Sequence, residues 1–430
     1  MQKNKFEILL FTLLIISGTL LGQERTYSPY SRFGIGDIEG SGIGRAQGMG
    51  GVGIAQRSSY SLNDLNAAAI TAIDSFSFIF EGGASYFNQN IATSDASITK
   101  SNMIFDYLAI GFPISKKAFT SFGFKPYSGV GYNVSGITGT APDQIQNSAS
   151  GSGTITKAFL NIGYLPINNL SIGVNVGYLF GSQKHTTYTD FINESTALKY
   201  GSLRKVAIND LTLDFGAQYT YKINSSKKFI FGATVTPESS LNGEVNLQVE
   251  SGYNYSTSDD DYLFSDGSIE KDTVIKLSSI GSKLPLQIGL GATYEVANKL
   301  STSIDFTMGN WSQTPFYEDI TKTTNSQYIN AGAEYIPNDL SLDNVFARIR
   351  YRGGVYYKKE YLVINNYQLV DYGITFGAGI PMKRSKNSVN FSFKYGTRGT
   401  TDYGLAKENY FRVSIDVIMQ EYWFVKRRIN

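Results

Sequence analysis

Long stretches of this chain alternate between apolar and polar or small residues, and this two-residue period constrains the fold more than any other feature. Segments 170–181, 286–296, 300–309, 370–380 and 411–419 all follow it. Alternation over such lengths is typical of β-strands that have one apolar face and one polar face. The sequence therefore predicts an all-β fold.

Strand length and loop length distinguish a transmembrane barrel from a soluble β-sheet protein. About 14 strands are predicted, and many exceed the five or six residues common in soluble sheets and reach the roughly 9–11 needed to cross a bilayer at a tilt. Short connections alternate with long ones, which is the pattern of a transmembrane antiparallel β-barrel. The predicted strands are 76–88, 102–114, 118–134, 152–165, 169–184, 205–222, 227–236, 283–297, 299–310, 325–337, 345–358, 370–382, 387–398 and 409–424. The predicted long loops are 89–101, 135–151, 185–204, 237–282, 311–324, 359–369 and 399–408.

The N-terminal segment 1–22 has the features of a secretory signal peptide. Lys3 and Lys5 precede an apolar run that continues to Leu21, and the small residue Gly22 follows. The run is short for a membrane anchor, the alternative interpretation, which needs about 20 residues. Because no later stretch is apolar enough for a helical span, only a closed barrel would carry the exported chain across a bilayer.

These features predict an integral protein of the Gram-negative outer membrane, with both termini in the periplasm. We expect a signal peptide over 1–22, an N-terminal hatch or plug over 23–75, the barrel over 76–424 and a short basic tail over 425–430.

Composition excludes several classes of function. The chain has no cysteine, which removes disulfides, thiolate metal sites and cysteine nucleophiles. A net charge of +2 gives no reason to expect a nucleic-acid partner. The single histidine, His185, lies in a predicted loop without the partners of a catalytic triad. The acidic residues of segment 259–272 lack the spacing of a calcium loop. We therefore expect no enzyme activity, no cofactor and no metal site.

The segment before the first strand lacks the two-residue period and is rich in glycine. Gly48, Gly50 and Gly53 formally match a dinucleotide fingerprint, but that motif requires a βαβ unit, which an all-β chain does not offer. The simpler interpretation is a tight coil in which only glycine fits. Segment 61–74 predicts a short helix capped by Asn63 or Asp64. Some 50 residues placed here are enough to plug the lumen of a barrel of about 14 strands.

At this segment the chain resembles the FadL/TodX-like outer-membrane transporters of hydrophobic compounds. The resemblance rests on the Gly-rich stretch 44–55 and on Asn66 and Ala68. In that family a Gly-rich hatch leads to an Asn-Pro-Ala motif and then to a fourteen-stranded barrel, and this chain departs from the motif at Ala67. The resemblance implies that the hatch residues of interest are Gly48, Gly50, Gly51, Gly53, Asn66, Ala67 and Ala68.

The third predicted strand contains residues that disturb a β-ladder. Pro126 cannot donate a hydrogen bond to it, while Gly129 and Gly131 permit a bend. In the resembling family a kink in the third strand opens the wall sideways to lipid. Pro126, Gly129 and Gly131 thus mark a candidate lateral opening, and a simple bulge near the barrel rim is the alternative.

Three arginines recur at alternate positions of a predicted strand: Arg348, Arg350 and Arg352. On the lipid face each would cost roughly 2–4 kcal/mol near the middle of the bilayer, so we expect them to face the lumen. They would form either a binding ladder for an anionic head group or a structural network of salt bridges. The inward carboxylates expected to pair with them are Asp305, Glu295, Asp214 and Asp416.

Taken with the resemblance, these features predict passive uptake of small hydrophobic or amphipathic compounds. The ligand, a small molecule or a lipid, would contact the hatch and leave through the lateral opening into the lipid bilayer. The alternative is a non-transporting accessory or structural barrel of an outer-membrane secretion or barrel-assembly complex, because FadL-like barrels are also known in such roles. Its partners would then be other outer-membrane or assembly subunits.

Overall fold

A computed structural model describes most of the chain. The signal peptide predicted over 1–22 and the tail predicted over 425–430 lie outside the described residues. Within the described ranges, no helix is long and apolar enough to span a membrane. The described ranges are 25–141, 143–194, 196–253, 255, 263–264, 269–277, 280–314, 322–341, 343–382 and 386–422.

Fourteen antiparallel strands form a closed barrel, as predicted. The first of them, β2, pairs along its whole length with the last, β20, from Ser77 opposite Tyr422 to Ala92 opposite Lys407. The barrel strands are β2 (Ser77–Ala92), β3 (Ser97–Pro113), β4 (Ala118–Thr138), β5 (Ile145–Ile167), β6 (Leu170–Phe191), β7 (Lys199–Lys222), β8 (Lys227–Thr236), β13 (Gln287–Val296), β14 (Leu300–Gly309), β16 (Ser326–Tyr335), β17 (Arg350–Ile364), β18 (Tyr367–Pro381), β19 (Ser388–Arg398) and β20 (Lys407–Tyr422).

The alternation has its expected physical cause, with apolar side chains outside and polar side chains inside. On β5, Leu160 and Ile162 are 40% and 47% exposed, while Asn161 between them is 1% exposed. On β14, Ile304 and Phe306 point outward on either side of the buried Asp305. A barrel with an apolar outer band and a polar interior is built for a lipid environment.

One end of the barrel carries most of the tight turns, and this end is periplasmic in outer-membrane barrels. At the opposite, extracellular end several predicted long loops are wrong. Residues 93–96 join β2 to β3, and residues 365–366 join β17 to β18. The hairpins continue as paired strands beyond the height of the bilayer. Both of their faces meet water there, so the alternation fades although the backbone ladder continues.

Smaller elements decorate the barrel. The strands β10 and β11 form a hairpin beside the upper half of β7, and β9 pairs with β12. The minor strands are β1 (Asp37–Ile38), β9 (Ser239–Leu241), β10 (Gly243–Gly252), β11 (Ile269–Leu277), β12 (Ser282–Leu284) and β15 (Lys322–Thr323). The 3₁₀ helices are Pro29–Arg32, Gly44–Met49, Ala67–Ala72, Trp311–Gln313 and Asp402–Gly404, and helix α1 is Val345–Arg348.

Two placements differ from the sequence prediction. The strand expected over 345–358 begins at Arg350, because the side chain of Asn344 accepts a hydrogen bond from the amide of Ala347 and starts a helical turn. His185 lies within β6 rather than in a loop, and its Nδ1 is 3.1 Å from the hydroxyl of Tyr132. The contact with Tyr132 does not provide His185 with the partners of a catalytic triad.

Candidate functional site: the hatch and the seam beside it

Residues 25–74, here called the hatch, lie inside the barrel and contact its inner wall on many sides. The glycines of its central coil allow backbone to meet backbone. Gly50, with φ +70°, donates its amide to the hydroxyl of Thr375 at 2.7 Å. A Cβ on Gly354 of the wall would overlap the amide nitrogen of Gly50. Gly48 likewise lies against Gly377 of β18. The glycines at 48 and 50 therefore permit close packing against the wall.

Further along the hatch, two consecutive backbone amides donate to one carboxylate of the wall. Gly53 and Ile54 both donate to Oδ2 of Asp305, at 2.6 and 2.8 Å. Gly51 contributes a carbonyl, which accepts a hydrogen bond from the side chain of Asn330. Asp305 was expected to pair with the arginines of β17, but its nearest polar partners are hatch amides. Its role here is to hold the hatch backbone against β14.

Asn66 organises the end of the hatch. Its Oδ1 accepts a hydrogen bond from the amide of Ala68 and caps the 3₁₀ helix Ala67–Ala72, so the cap is Asn66 and not Asn63 or Asp64. Its Nδ2 donates to the carbonyl of Ile54 at 2.8 Å. Ala67 occupies the first helical position, where proline is also well tolerated. Asn66, Ala67 and Ala68 are all buried.

A buried ion-pair network joins the hatch to β16 and β17. Glu334 accepts from Arg45 of the hatch at 2.8 Å and from Arg352 at 2.7 Å. The hydroxyl of Tyr60 donates to the same carboxylate, and the guanidinium of Arg350 stacks 3.7 Å from the centre of the Tyr60 ring. Glu334, Arg350 and Arg352 of the wall thus belong to the network that holds the hatch. Arg348 lies in helix α1 and does not share a strand face with Arg350 and Arg352.

The carboxylates predicted to pair with the arginines have other partners. Glu295 forms an ion pair with Lys228, and Asp214 forms one with Lys157, both at 2.8 Å. Asp416 is buried on β20 beside Tyr107, whose hydroxyl also faces Glu81. Glu334, which the sequence analysis missed, is the acid that meets Arg352, because the register of β16 and β17 places them opposite each other. The position of Glu334 on the inward face of an alternating strand could have identified it as a candidate partner of Arg352.

A second network holds the first part of the hatch near the extracellular end. Arg398 donates to Asp37 of the hatch at 2.8 Å and to Glu360 of the wall at 2.7 Å. Arg412 reaches Glu39 at 2.8 Å. Burial alone would raise the pKa of Glu39, but Arg412 and Arg25 outweigh burial and hold it well below its ordinary value. This part of the hatch is therefore held by charge.

The wall has a seam between β3 and β4 at the position marked by Pro126. Pairing of these strands ends at Leu108 opposite Phe124, although both strands continue. The register of β4 against β5 then shifts between Pro126 and Ser128, which is a β-bulge. Phe105 and Phe124 stack across the seam with ring centres 5.5 Å apart.

The hatch covers this seam from inside. Its strand β1 pairs with the edge of β4 that β3 leaves, with Asp37 opposite Gly129 and Ile38 opposite Ser128. Arg25 donates to the carbonyl of Phe105 at 2.7 Å. A Cβ on Gly131 would overlap the carbonyl of Thr26. Arg25, the first described residue, thus lies inside the wall beside the seam.

The remaining lumen is divided by packed layers. An apolar cluster that includes Tyr30 and Ile35 of the hatch closes the extracellular side, and a second with Ile43 and Ile70 closes the periplasmic side. Cavities of about 140 and 210 Å³ lie between them and have several charged side chains in their walls. A cavity of about 340 Å³ faces the periplasm and is lined by Arg45, Arg57 and other polar groups.

The fold and the hatch define the class: an integral outer-membrane β-barrel of FadL/TodX-like architecture. Among solved structures, the toluene transporter TbuX of Ralstonia pickettii matches with a TM-score of 0.61 and 14% identity, covering 89% of this chain and 99% of that one. The toluene transporter TodX of P. putida gives 0.59 and 14%, covering 90% and 100%. A Pseudomonas aeruginosa FadL homologue gives 0.58 and 11%, covering 93% and 99%.

A match to a protein-family model assigns the chain to a specific family. The BamG model matches residues 1–430, so the chain belongs to the BamG family. A sequence search of curated proteins finds no match. The FadL/TodX resemblance is thus confirmed for the fold, while the family that matches has a different name.

Proposed function

We propose that this barrel is a non-transporting structural subunit of an outer-membrane protein secretion or barrel-assembly complex. In this proposal the hatch is a permanent plug, the extracellular hairpins and loops are docking surfaces, and the chain catalyses no reaction. One observation carries the proposal: ion pairs and hydrogen bonds join the hatch to β14, β16, β18 and β19, and across the lumen its Asn66–Ala67 backbone packs against Gly173 of β6 and Gly216 of β7.

The energetics of these contacts favour a fixed plug. Removing one partner of a buried ion pair costs about 3–5 kcal/mol, because a charge is left buried without compensation. Moving the hatch would break the Arg45–Glu334 and Arg398–Asp37 pairs together. The cavities of about 140 and 210 Å³ have several charged side chains in their walls, and a hydrocarbon there would leave those charges without a polar partner.

Uptake of small hydrophobic compounds is the second candidate function, and the seam favours it. The wall pairing is interrupted where the sequence predicts the lateral opening, and the fold is shared with proteins described as toluene transporters. For uptake, the hatch strand β1 would have to leave the edge of β4.

A disulfide lock separates the two functions. Ile38 and Ser128 lie directly opposite each other, and the chain has no cysteine of its own. In the Ile38→Cys/Ser128→Cys variant, oxidation should leave the growth and assembly phenotype of cells unchanged if the hatch is a permanent plug. If the protein is a transporter, oxidation should stop entry of a radiolabelled alkylbenzene, and reduction should restore it.

The matched control is Ala292→Cys/Ile304→Cys, which links two directly opposed wall residues on the outer face of the barrel, away from the hatch. Native purification in mild detergent, followed by mass spectrometry, completes the test. Stoichiometric protein partners are expected. A barrel that purifies alone with a bound hydrophobic compound, and whose uptake the lock abolishes, would overturn the proposal.

A further inference from the structure

A cavity of about 340 Å³ lies between the hatch and the periplasmic ends of β13, β14 and β16. Hatch residues 57–60 form one side of it, and the β13–β14 turn at Asn298 and Lys299 forms another. This turn is one of the tight connections that mark the periplasmic end of an outer-membrane barrel. The cavity therefore faces the periplasm, and neither candidate function of the barrel uses it.

The walls of this cavity carry more positive than negative charge. Glu295 is paired with Lys228, and Glu334 is shared between Arg45 and Arg352. The other two cations of the lining form no ion pair with any described residue. The lining includes four cations, Arg45, Arg57, Lys228 and Lys299, and two carboxylates, Glu295 and Glu334.

Arg57 of the hatch is held in place by uncharged acceptors. Its Nη1 donates to the hydroxyl of Ser171 at 2.6 Å and to the side-chain carbonyl of Gln218 at 3.1 Å. Its Nη2 donates to the hydroxyl of Thr71 at 2.8 Å. These bonds orient the guanidinium but do not neutralise it. Because charges that are removed from water are normally paired, this position favours a bound anion.

Two further groups beside the cavity favour an anion. The guanidinium of Arg350 lies against the ring of Tyr60, which lines the cavity, and its Nε and Nη1 are buried without a hydrogen-bond partner in the described chain. Ser301 of the lining is 6% exposed, and its hydroxyl likewise makes no hydrogen bond to a described residue. Arg350 therefore adds positive charge close to the cavity, and Ser301 adds a hydroxyl donor.

We infer that this cavity binds a phosphate group that enters from the periplasm. A phosphate monoester carries a charge of about −1.5 to −2 at pH 7, which matches four cations against two carboxylates in the lining. A carboxylate ligand would neutralise only one of the two excess charges. Arg57 and Lys299 would contact the phosphate oxygens, because their charges are not shared with a carboxylate of the protein. The inference does not rest on the proposed function.

Isothermal titration calorimetry of the whole barrel in uncharged detergent tests the inference with inorganic phosphate. Saturable binding is expected, and acetate at matched ionic strength should bind at least about tenfold more weakly, because it carries a single charge. A second titration uses dihexanoyl phosphatidic acid, which carries a phosphate monoester on a short lipid. Binding of both compounds would assign the site to phosphate in general, and binding of the lipid alone would assign it to a phosphate head group. Failure of both to bind, or equal affinity for acetate, would overturn the inference.

Charge substitutions in the same titration locate the site. Lys299→Gln should weaken phosphate binding about fivefold through the loss of one charge-assisted contact, with no change in thermal stability. Lys117→Gln is the matched control, because it removes the same charge from an exposed side chain at the β3–β4 turn, outside the cavity lining. Arg57→Lys, which keeps the charge, should bind phosphate more tightly than Arg57→Gln.

The two cations differ in how they bear on the test. Arg57 also bonds to the wall, so Lys299→Gln decides the outcome if Arg57→Gln lowers the melting temperature of the barrel. Phosphate affinity that is the same in Lys299→Gln, in Lys117→Gln and in the native barrel would overturn the inference.

Discussion

The carboxylate of Glu334 accepts two hydrogen bonds from Arg45, with the Nη2 and Nε donors at 2.8 and 3.1 Å. One residue belongs to the barrel wall and the other to the hatch, and both are almost fully buried. A bidentate pair of this kind fixes orientation as well as distance. Because Arg352 of the wall donates to the same carboxylate, hatch and wall share one electrostatic network.

Removing the carboxylate of Glu334 should loosen the hatch. In Glu334→Gln, Arg45 and Arg352 would both stay buried without a charged partner. We expect a loss of about 3–5 kcal/mol, measured as a lower unfolding temperature in detergent and as faster proteolysis within 44–60.

Glu295→Gln is the control, because the Lys228–Glu295 pair has side chains 34% and 22% exposed. Such a pair contributes about 0–1 kcal/mol, so its loss should leave the hatch protected. Equal effects of the two variants would contradict a structural role for the Glu334 network.

Two adjacent glycines of β17 test whether the hatch touches the wall directly. In Gly354→Ala, the new methyl group would overlap the backbone of Gly50, so the hatch coil must shift. We expect destabilisation of about 1–3 kcal/mol, the usual cost of overpacking. Gly353→Ala is the control, since the nearest atom to its Cβ lies 4.0 Å away. Thermal melts of the two variants should differ; equal melting temperatures would place the hatch away from this part of the wall.

Asp305→Ala tests the two hatch amides that share Asp305. Gly53 and Ile54 would lose their acceptor, and unsatisfied buried amides cost about 1–3 kcal/mol. Hydrogen exchange of peptides over 50–56 should accelerate, while peptides over 67–72 keep most of their protection. Asp74→Ala, which breaks a partly exposed pair with Lys386, provides the control. Unchanged exchange over 50–56 would mean that these hydrogen bonds contribute little to the hold on the hatch.

Local sequence pattern predicts the barrel well because contact with lipid acts on each strand separately. Ile162 and Phe306 point outward to lipid, and Asp305 points into the lumen. The alternation of apolar and polar residues along each strand predicts both orientations. Pro126 similarly predicted an interrupted ladder, because proline removes a donor wherever it lies. The extracellular hairpins escaped prediction, since both of their faces meet water and no alternation marks them.

The ion pairs of the lumen depend on the register between strands and on the path of the hatch. Neither can be predicted from the local sequence of a single strand. Arg352 meets Glu334 because β16 and β17 pair in one particular register, and Asp305 meets Gly53 because the hatch crosses β14 there. Pairing by residue type alone therefore identified Arg352 and Asp305 correctly as inward groups but assigned them the wrong partners.

The first part of the hatch should loosen in acid. The pKa of Glu39 is held well below its ordinary value by Arg412 and Arg25, against the effect of burial. A carboxylate with a depressed folded-state pKa stabilises the fold above its unfolded pKa, near 4.3, and that stabilisation is lost as pH falls through the folded-state value. Hydrogen exchange over 25–39, corrected for intrinsic rates, should therefore stay slow from pH 7 to about pH 4.5 and accelerate below it.

The variant Glu39→Gln is the matched control for this acid response. It keeps the shape of the side chain but leaves Arg412 and Arg25 without their shared carboxylate. Exchange over 25–39 should be faster than in the native protein at pH 7. The difference between the two proteins should shrink as the pH falls below about 4.5, because the Glu39 carboxylate of the opened state then takes up a proton and the stabilisation by the charged pair decreases. A difference that persists undiminished at pH 3 would show that the charge of Glu39 does not hold this part of the hatch.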